Sequence, residues 1–474
     1  MRIKSDLPAE LKYQAVVIEN AARDAGLDFF EVVFELLDAK DVNAVAAYGG
    51  FPVRYPSWRF GMDFEKLEKS RSWGLSKIYE LVINNDPTYA YLVKSNSLME
   101  QKLVMAHVYG HADFFRHNVW FAPTDRRMLD TMANHSTRVR RYIDAFGQDK
   151  VERFLDLCQS IETLIDPYLP LRELGSPNET KSLYTAPSDR ALRTLNALSA
   201  GPLAPTAQEA PGPRPVGFEF PTYDVLGFIE KHAPLEAWER DLLDIVRKEA
   251  YYFAPQRMTK IMNEGWASFW HSRLLTGGIL DASEILDFAD CHSAATASGQ
   301  GNLNPYKLGI ELLRHAEANG EDLFTLRRVH NDVSLVHKVV DEAFAREHIA
   351  PVVGVDPRAV EDWRELKSWL LTMISWGGQP QIELEGLVSG TTDELLLVHH
   401  HDGRDLELGM AEKCLKNVAA LWRRPVHLFT LLEGEGKRII AKDGGTEVVD
   451  SAEARERLGA KKPTLDPDQE TLAG

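Results

Sequence analysis

Two histidines four residues apart, in His107-Val108-Tyr109-Gly110-His111, are the first residues of this chain whose type and spacing suggest chemistry. On a helix that spacing is one turn, so both imidazoles project from the same face. Leu103, Val104, Phe114 and Phe115 are their neighbours on that face, which turns it inward. Neutral imidazole is a good zinc ligand, and two of them supply half of a tetrahedral shell. The same spacing also arises in ordinary cores, where each ring is hydrogen-bonded to backbone or to a carboxylate. A second segment shifts the balance. Met262-Asn263-Glu264-Gly265-Trp266-Ala267-Ser268-Phe269-Trp270-His271 is an apolar helical run with one carboxylate. Burying an acid among tryptophans and small residues is costly unless it is paired or metal-bound. Lys260 or Arg257, at the start of that run, is the alternative partner. We therefore expect His107, His111 and Glu264 to hold zinc or another divalent ion, with a position left for water. His271 and His292 are candidates for a fourth ligand or a proton carrier.

One position breaks the familiar pattern. In HExxH zinc peptidases the glutamate after the first histidine is the general base. Here that position is Val108, which accepts no proton. A base would have to come from elsewhere, with Glu80, Asp113, Glu249 and His271 as candidates. Two readings follow. One is a metal-dependent hydrolase-like enzyme. The other is a non-catalytic scaffold or regulator, in which the same polar cluster fixes two helices.

Other groupings carry less. In a strand, His399 and His401 of His399-His400-His401-Asp402 share a face, and they read as a polar strand end. His330, Asp332 and His337 read as an ordinary charged helix face. Gly377-Gly378 and Gly444-Gly445 read as turns. Neither a GxSxG elbow nor a GxxxxGK[ST] loop is present, which removes serine-hydrolase and P-loop readings.

The elements that must position these groups follow from periodicity. Residues 8–47 show helical spacing, followed by an irregular stretch rich in glycine, proline and aromatics, Tyr48 to Trp58. Ile78–Asn84 and Tyr89–Val93 read as two short strands, or the first continues a helix from Leu75. Asn96 or Ser97 caps a helix running to about His117, with Glu100 in its first turn. Helical patterns fill 125–170 and recur at 222–232, 235–250, 256–276, 282–291, 305–318 and 326–347. Strands at 382–388, 394–400 and 425–432 flank a helix at 408–423. The expected fold is α+β. A predominantly α-helical main domain with a zincin-like metal-site core carries a small C-terminal α+β module. Its halves are 1–198 and 218–375, joined by the Pro/Ala/Gly-rich segment 199–217. The module covers 376–450, and 451–474 is a polar tail.

Bulk properties bound the function classes. The 474 residues carry a net charge of −17, without the basic footprint of a nucleic-acid binder. No stretch approaches the ~20 apolar residues of a membrane span, and the first residues read as an amphipathic helix rather than a signal peptide. Cys158, Cys291 and Cys414 lie far apart, which fits a reducing, cytoplasmic setting.

Several long stretches together resemble one family. They include Arg54-Tyr55-Pro56 with Trp58 and Phe60-Gly61, Tyr79-Glu80-Leu81-Val82-Ile83-Asn84, and Tyr89-Ala90-Tyr91-Leu92. They continue through His107-Val108-Tyr109-Gly110-His111-Ala112-Asp113-Phe114-Phe115, Ala233-Pro234-Leu235-Glu236 and Glu249-Ala250-Tyr251-Tyr252-Phe253-Ala254-Pro255-Gln256. Met262-Asn263-Glu264-Gly265-Trp266-Ala267, Asn304-Pro305-Tyr306-Lys307-Leu308-Gly309 and Arg424-Pro425-Val426-His427-Leu428 complete them. In this order they resemble the SpoVR (stage V sporulation protein R) family of bacterial proteins over nearly the whole chain. The resemblance implies a role in spore cortex formation or, in bacteria that do not sporulate, in stress or starvation. It implies a PrkA-like serine kinase and a protein with a von Willebrand-type domain as partners, and it implies no particular reaction.

Overall fold

A computed structural model describes residues 7–72, 80–174, 220–297, 301 and 303–459. The segment 199–217 and the tail beyond 459 lie outside the described residues. The chain divides into two compact units. One combines Met1–Arg140 with Met258–Leu371, and the other combines Arg141–Arg257 with Thr372–Gly474. Among the described residues no helix is long and apolar enough to cross a membrane.

The first unit is mainly helical and includes a three-stranded sheet in the order β1-β3-β2. β1 is Val32–Leu37, β2 is Glu80–Ile83 and β3 is Thr88–Val93. β1 corrects the expectation of continuous helix over 8–47. A helix forms at Ala9–Asp24, but the β-branched and aromatic start of Val-Val-Phe-Glu-Leu-Leu pairs parallel to β3 instead. β2 and β3 pair antiparallel, which decides for strand over helix at 80–83.

The helix Leu98–His117, called here the histidine helix, begins where the sequence places it. Ser97 accepts from the Glu100 backbone N–H, and the Glu100 carboxylate accepts from that of Ser97. This helix is buried on nearly all sides. Tyr109 donates its hydroxyl to Ala15 O at 3.1 Å and packs its ring against Phe29 and Phe34. The opposite side faces the helix Lys260–Leu274, called the glutamate helix.

Small residues set how closely these helices cross. A Cβ on Gly110 would meet the Ala267 Cα at 2.7 Å. On its other side the glutamate helix crosses the helix Pro305–Ala318, where a Cβ on Gly265 would meet Gly309 Cα and C at 2.5 Å. A Cβ on Gly309 would clash with Ile261 O. The single helix expected over 326–347 is broken. Asn331 caps a helix at Asp332–Val339 through a box with Ser334, and Asp341 caps a further turn. Their short side chains bond the next turn's N–H groups better than they continue a helix.

The second unit holds a five-stranded mixed sheet in the order β4-β5-β6-β7-β8. β4 is Ile382–Leu387, β5 Leu395–His399 and β6 Val426–Leu432, as expected within a residue or two. β5 and β6 run parallel, joined through the helix Leu408–Trp422. β7 (Glu435–Lys442) and β8 (Gly445–Asp450) form a hairpin that periodicity did not mark. Asp443 and Gly444, both at positive φ, make its turn. Residues 452–459, expected as polar tail, form a helix that buries Ala454 and Leu458 against Leu396, Val398, Phe429 and Leu431.

Because Gly309 meets carbonyl oxygen and backbone, side-chain rotation cannot relieve added bulk. Gly309→Ala should destabilise the protein by about 1–3 kcal/mol, read as a lowered denaturant midpoint. An unchanged midpoint would show that these helices can separate freely.

Candidate metal centre

The two helices deliver His107, His111 and Glu264 to one point. His107 Nε2 and His111 Nε2 each lie 3.5 Å from Glu264 Oε2. Both histidine side chains are almost fully buried, and that of Glu264 is 19% exposed. Among the described residues these three form the one group of His, Cys, Asp or Glu side chains placed to share a metal ion. The local causes are plain. One helical turn separates the histidines, with Gly110 between them, and Gly265 follows Glu264. The residues that let the backbones approach therefore sit inside the ligand set.

All three donor atoms lie within 4.8 Å of one another, and the two spacings to Glu264 Oε2 are longer than an ordinary hydrogen bond. An N–H···O bond to a carboxylate closes to about 2.7–3.2 Å. Ligand atoms about 2.0–2.1 Å from zinc at tetrahedral angles lie roughly 3.3–3.4 Å apart. His111 adds an argument from its other nitrogen. Its Nδ1 is 2.9 Å from Asn263 Oδ1, which is an acceptor, so Nδ1 carries the proton. In neutral imidazole that leaves the Nε2 lone pair facing Glu264, the form a metal requires.

Of the further candidates, His271 and His292 join the cluster. His107 Nδ1 lies 2.8 Å from His271 Nδ1, and His271 Nε2 lies 3.0 Å from His292 Nδ1. Both ring nitrogens of His271 thus engage other histidines rather than the Glu264 carboxylate. His292 sits on the helix Ile285–Thr296 and stacks on Phe288. Burial, then the neighbouring histidines, keep His271 well below the ordinary imidazole pKa. His292 is also lowered, by burial and then by Arg314.

Asp113 is engaged elsewhere. It accepts from Asp28 N and Trp266 Nε1, both at 2.9 Å, and faces Arg327 Nη1 at 3.5 Å. Burial outweighs these partners and pushes its carboxyl up to about 6. Glu80 opens β2, and its side chain lies outside the described residues. Glu249 belongs to the second unit. Val108 is fully buried. In the second unit, His399 bonds Thr430 and His401 bonds Asp405, so the histidine run is divided between separate partners.

Two contributors escaped the reading of the sequence. Asn263 orients His111, and its only signal is a buried amide next to the isolated glutamate. Asp332, read as part of a charged face, is buried instead. It accepts from Ile261 N at 2.9 Å and Met262 N at 2.8 Å, the first turn of the glutamate helix. Asp332→Ala would leave two buried N–H groups without that acceptor, at a cost of about 1–3 kcal/mol. Urea unfolding should show a lowered midpoint. No change would mean the helix start is held by other contacts.

The family model described as SpoVR like protein matches residues 6–349, which include every residue of the centre. The uncharacterized protein YcgB of Escherichia coli (strain K12) is 29% identical over 470 residues, covering 85% of this chain and 88% of its own. No solved structure matches the chain. The match spans well over half of the sequence, and the chain belongs to the SpoVR-like family.

Proposed function

We propose that this protein is a metal-dependent enzyme of hydrolase type, with His107, His111 and Glu264 as its ligands. The observation that carries this reading is the approach of two imidazole nitrogens to one carboxylate oxygen at 3.5 Å. Structural zinc sites close their shell with four protein ligands, whereas catalytic sites keep a position open. Three ligands converge here, and the nearest further histidine, His271, is engaged through both nitrogens. A divalent ion held there would polarise a bound water or carbonyl oxygen. The chain's own residues hold the donors in place: Asn263 fixes the His111 ring, and Asp332 fixes the start of the glutamate helix. The family resemblance directs the search for substrate to a peptide or amide bond in a cell-wall precursor. A cytoplasmic site and a stress or sporulation role belong to the same reading.

Val108 supports a second reading, a non-catalytic scaffold or regulator in which the same polar cluster, with or without metal, fixes the two helices. In that reading the surface docks a PrkA-like serine kinase or a protein with a von Willebrand-type domain, the partners the family resemblance implies.

Elemental analysis of protein purified without a histidine tag should find about one divalent metal per chain, lost in His107→Ala and Glu264→Ala. A folded wild type that stays metal-free after incubation with zinc would refute the enzyme reading and leave the scaffold, whose polar cluster fixes the helices without metal. With Co2+ in the site, azide or a hydroxamate should change the visible spectrum if a coordination position is open. A spectrum indifferent to both would favour the regulator.

A further inference from the structure

We infer that His271 and His292 are positioning residues that lock His107 in the tautomer whose Nε2 lone pair faces the centre. The inference rests on the metal-site reading and adds two residues that touch no ligand position themselves. An Nδ1···Nδ1 distance of 2.8 Å between His107 and His271 requires one ring to donate and the other to accept. The next link, His271 Nε2 to His292 Nδ1 at 3.0 Å, has the same requirement. For neutral rings only two arrangements satisfy both links. In the outward arrangement His107 donates from Nδ1, His271 accepts at Nδ1 and donates from Nε2, and His292 accepts at Nδ1. In the inward arrangement every role reverses, and His107 carries its proton on Nε2.

The geometry at Glu264 selects between them. The inward arrangement points His107 Nε2–H at a carboxylate oxygen, which would draw it to ordinary hydrogen-bond distance. The observed 3.5 Å equals that of His111, whose lone pair faces the same oxygen because Asn263 takes its proton. The two imidazoles therefore face Glu264 in the same state, each with its proton on the far side. Asn263 does this for His111, and the His271–His292 pair does it for His107. With His107, the three histidines link three helices. His107 lies on the histidine helix, His271 near the end of the glutamate helix, and His292 on the half-exposed helix Ile285–Thr296, so the tautomer of a buried ligand depends on how that outer helix is seated.

The role is one of orientation, and its test reads metal affinity. Co2+ is titrated into the metal-free full-length protein and followed by its visible absorption. His271→Ala and His271→Phe should weaken Co2+ binding about 10–100-fold, the usual cost of losing an outer-shell partner. His271→Asn, whose Oδ1 can occupy the place of Nδ1 and accept from His107, should recover most of that loss. His292→Ala should weaken binding by a smaller factor. Equal affinity in wild type, His271→Phe and His271→Ala would overturn the inference while leaving the metal site intact. So would an asparagine variant as weak as the phenylalanine one, since the hydrogen bond would then not be the cause. A wild type that binds no Co2+ would instead overturn the metal site, and this inference with it. Circular dichroism of each variant separates lost affinity from lost fold.

Discussion

Three helices of the first unit cross so closely that glycine is required where they touch. Gly110 faces Ala267, and Gly265 faces Gly309. The chemistry depends on this constraint, because the ligand candidates occupy the same turns. A wider crossing would carry Glu264 away from His107 and His111 and leave a carboxylate and two imidazoles buried apart. Each would then need its own partner, at the cost that buried polar groups incur. Brought together, they create a site of converging lone pairs and negative charge. Such a group could hold a metal ion.

The supports of the centre are themselves polar and buried. Asp332 receives the first N–H groups of the glutamate helix, Asn263 receives the His111 proton, and Asp113 ties Trp266 to the histidine helix. Each group uses its hydrogen-bonding capacity on the neighbouring helix rather than on water. This arrangement fixes the angle and register of the helices as well as their distance. It is the kind of surrounding shell that holds metal ligands in orientation. It also explains why so much unpaired-looking polarity can sit in an apolar core.

Much of this was legible in the sequence, for physical reasons that can be named. The HxxxH spacing places two rings on one face by helix geometry alone. An isolated glutamate among tryptophans must have a partner, and Ser97 with Glu100 states where the histidine helix begins. Other parts were not legible. β1 forms because β3 is available to pair with it, and that pairing partner is more than fifty residues away. The β7–β8 hairpin is short and polar on one side, so alternation alone marks it weakly. Asp332 looks like a surface residue in its own helix, and only the glutamate helix packed above it reveals its role. The close glycine contacts are equally silent, since a glycine in a helix does not state what approaches it. Val108 was visible from the start, and the structure adds that the valine is buried beside the centre it cannot serve as a base.

The direct test of the central claim is X-ray absorption spectroscopy of the zinc-loaded full-length protein. The account predicts a shell of nitrogen and oxygen donors at about 2.0–2.1 Å, with the outer scattering of two imidazoles. A His107→Ala, His111→Ala double variant, loaded and freed of unbound metal in the same way, should retain no zinc. Sulfur scattering at about 2.3 Å, or a shell without imidazole, would place the metal elsewhere and contradict the account.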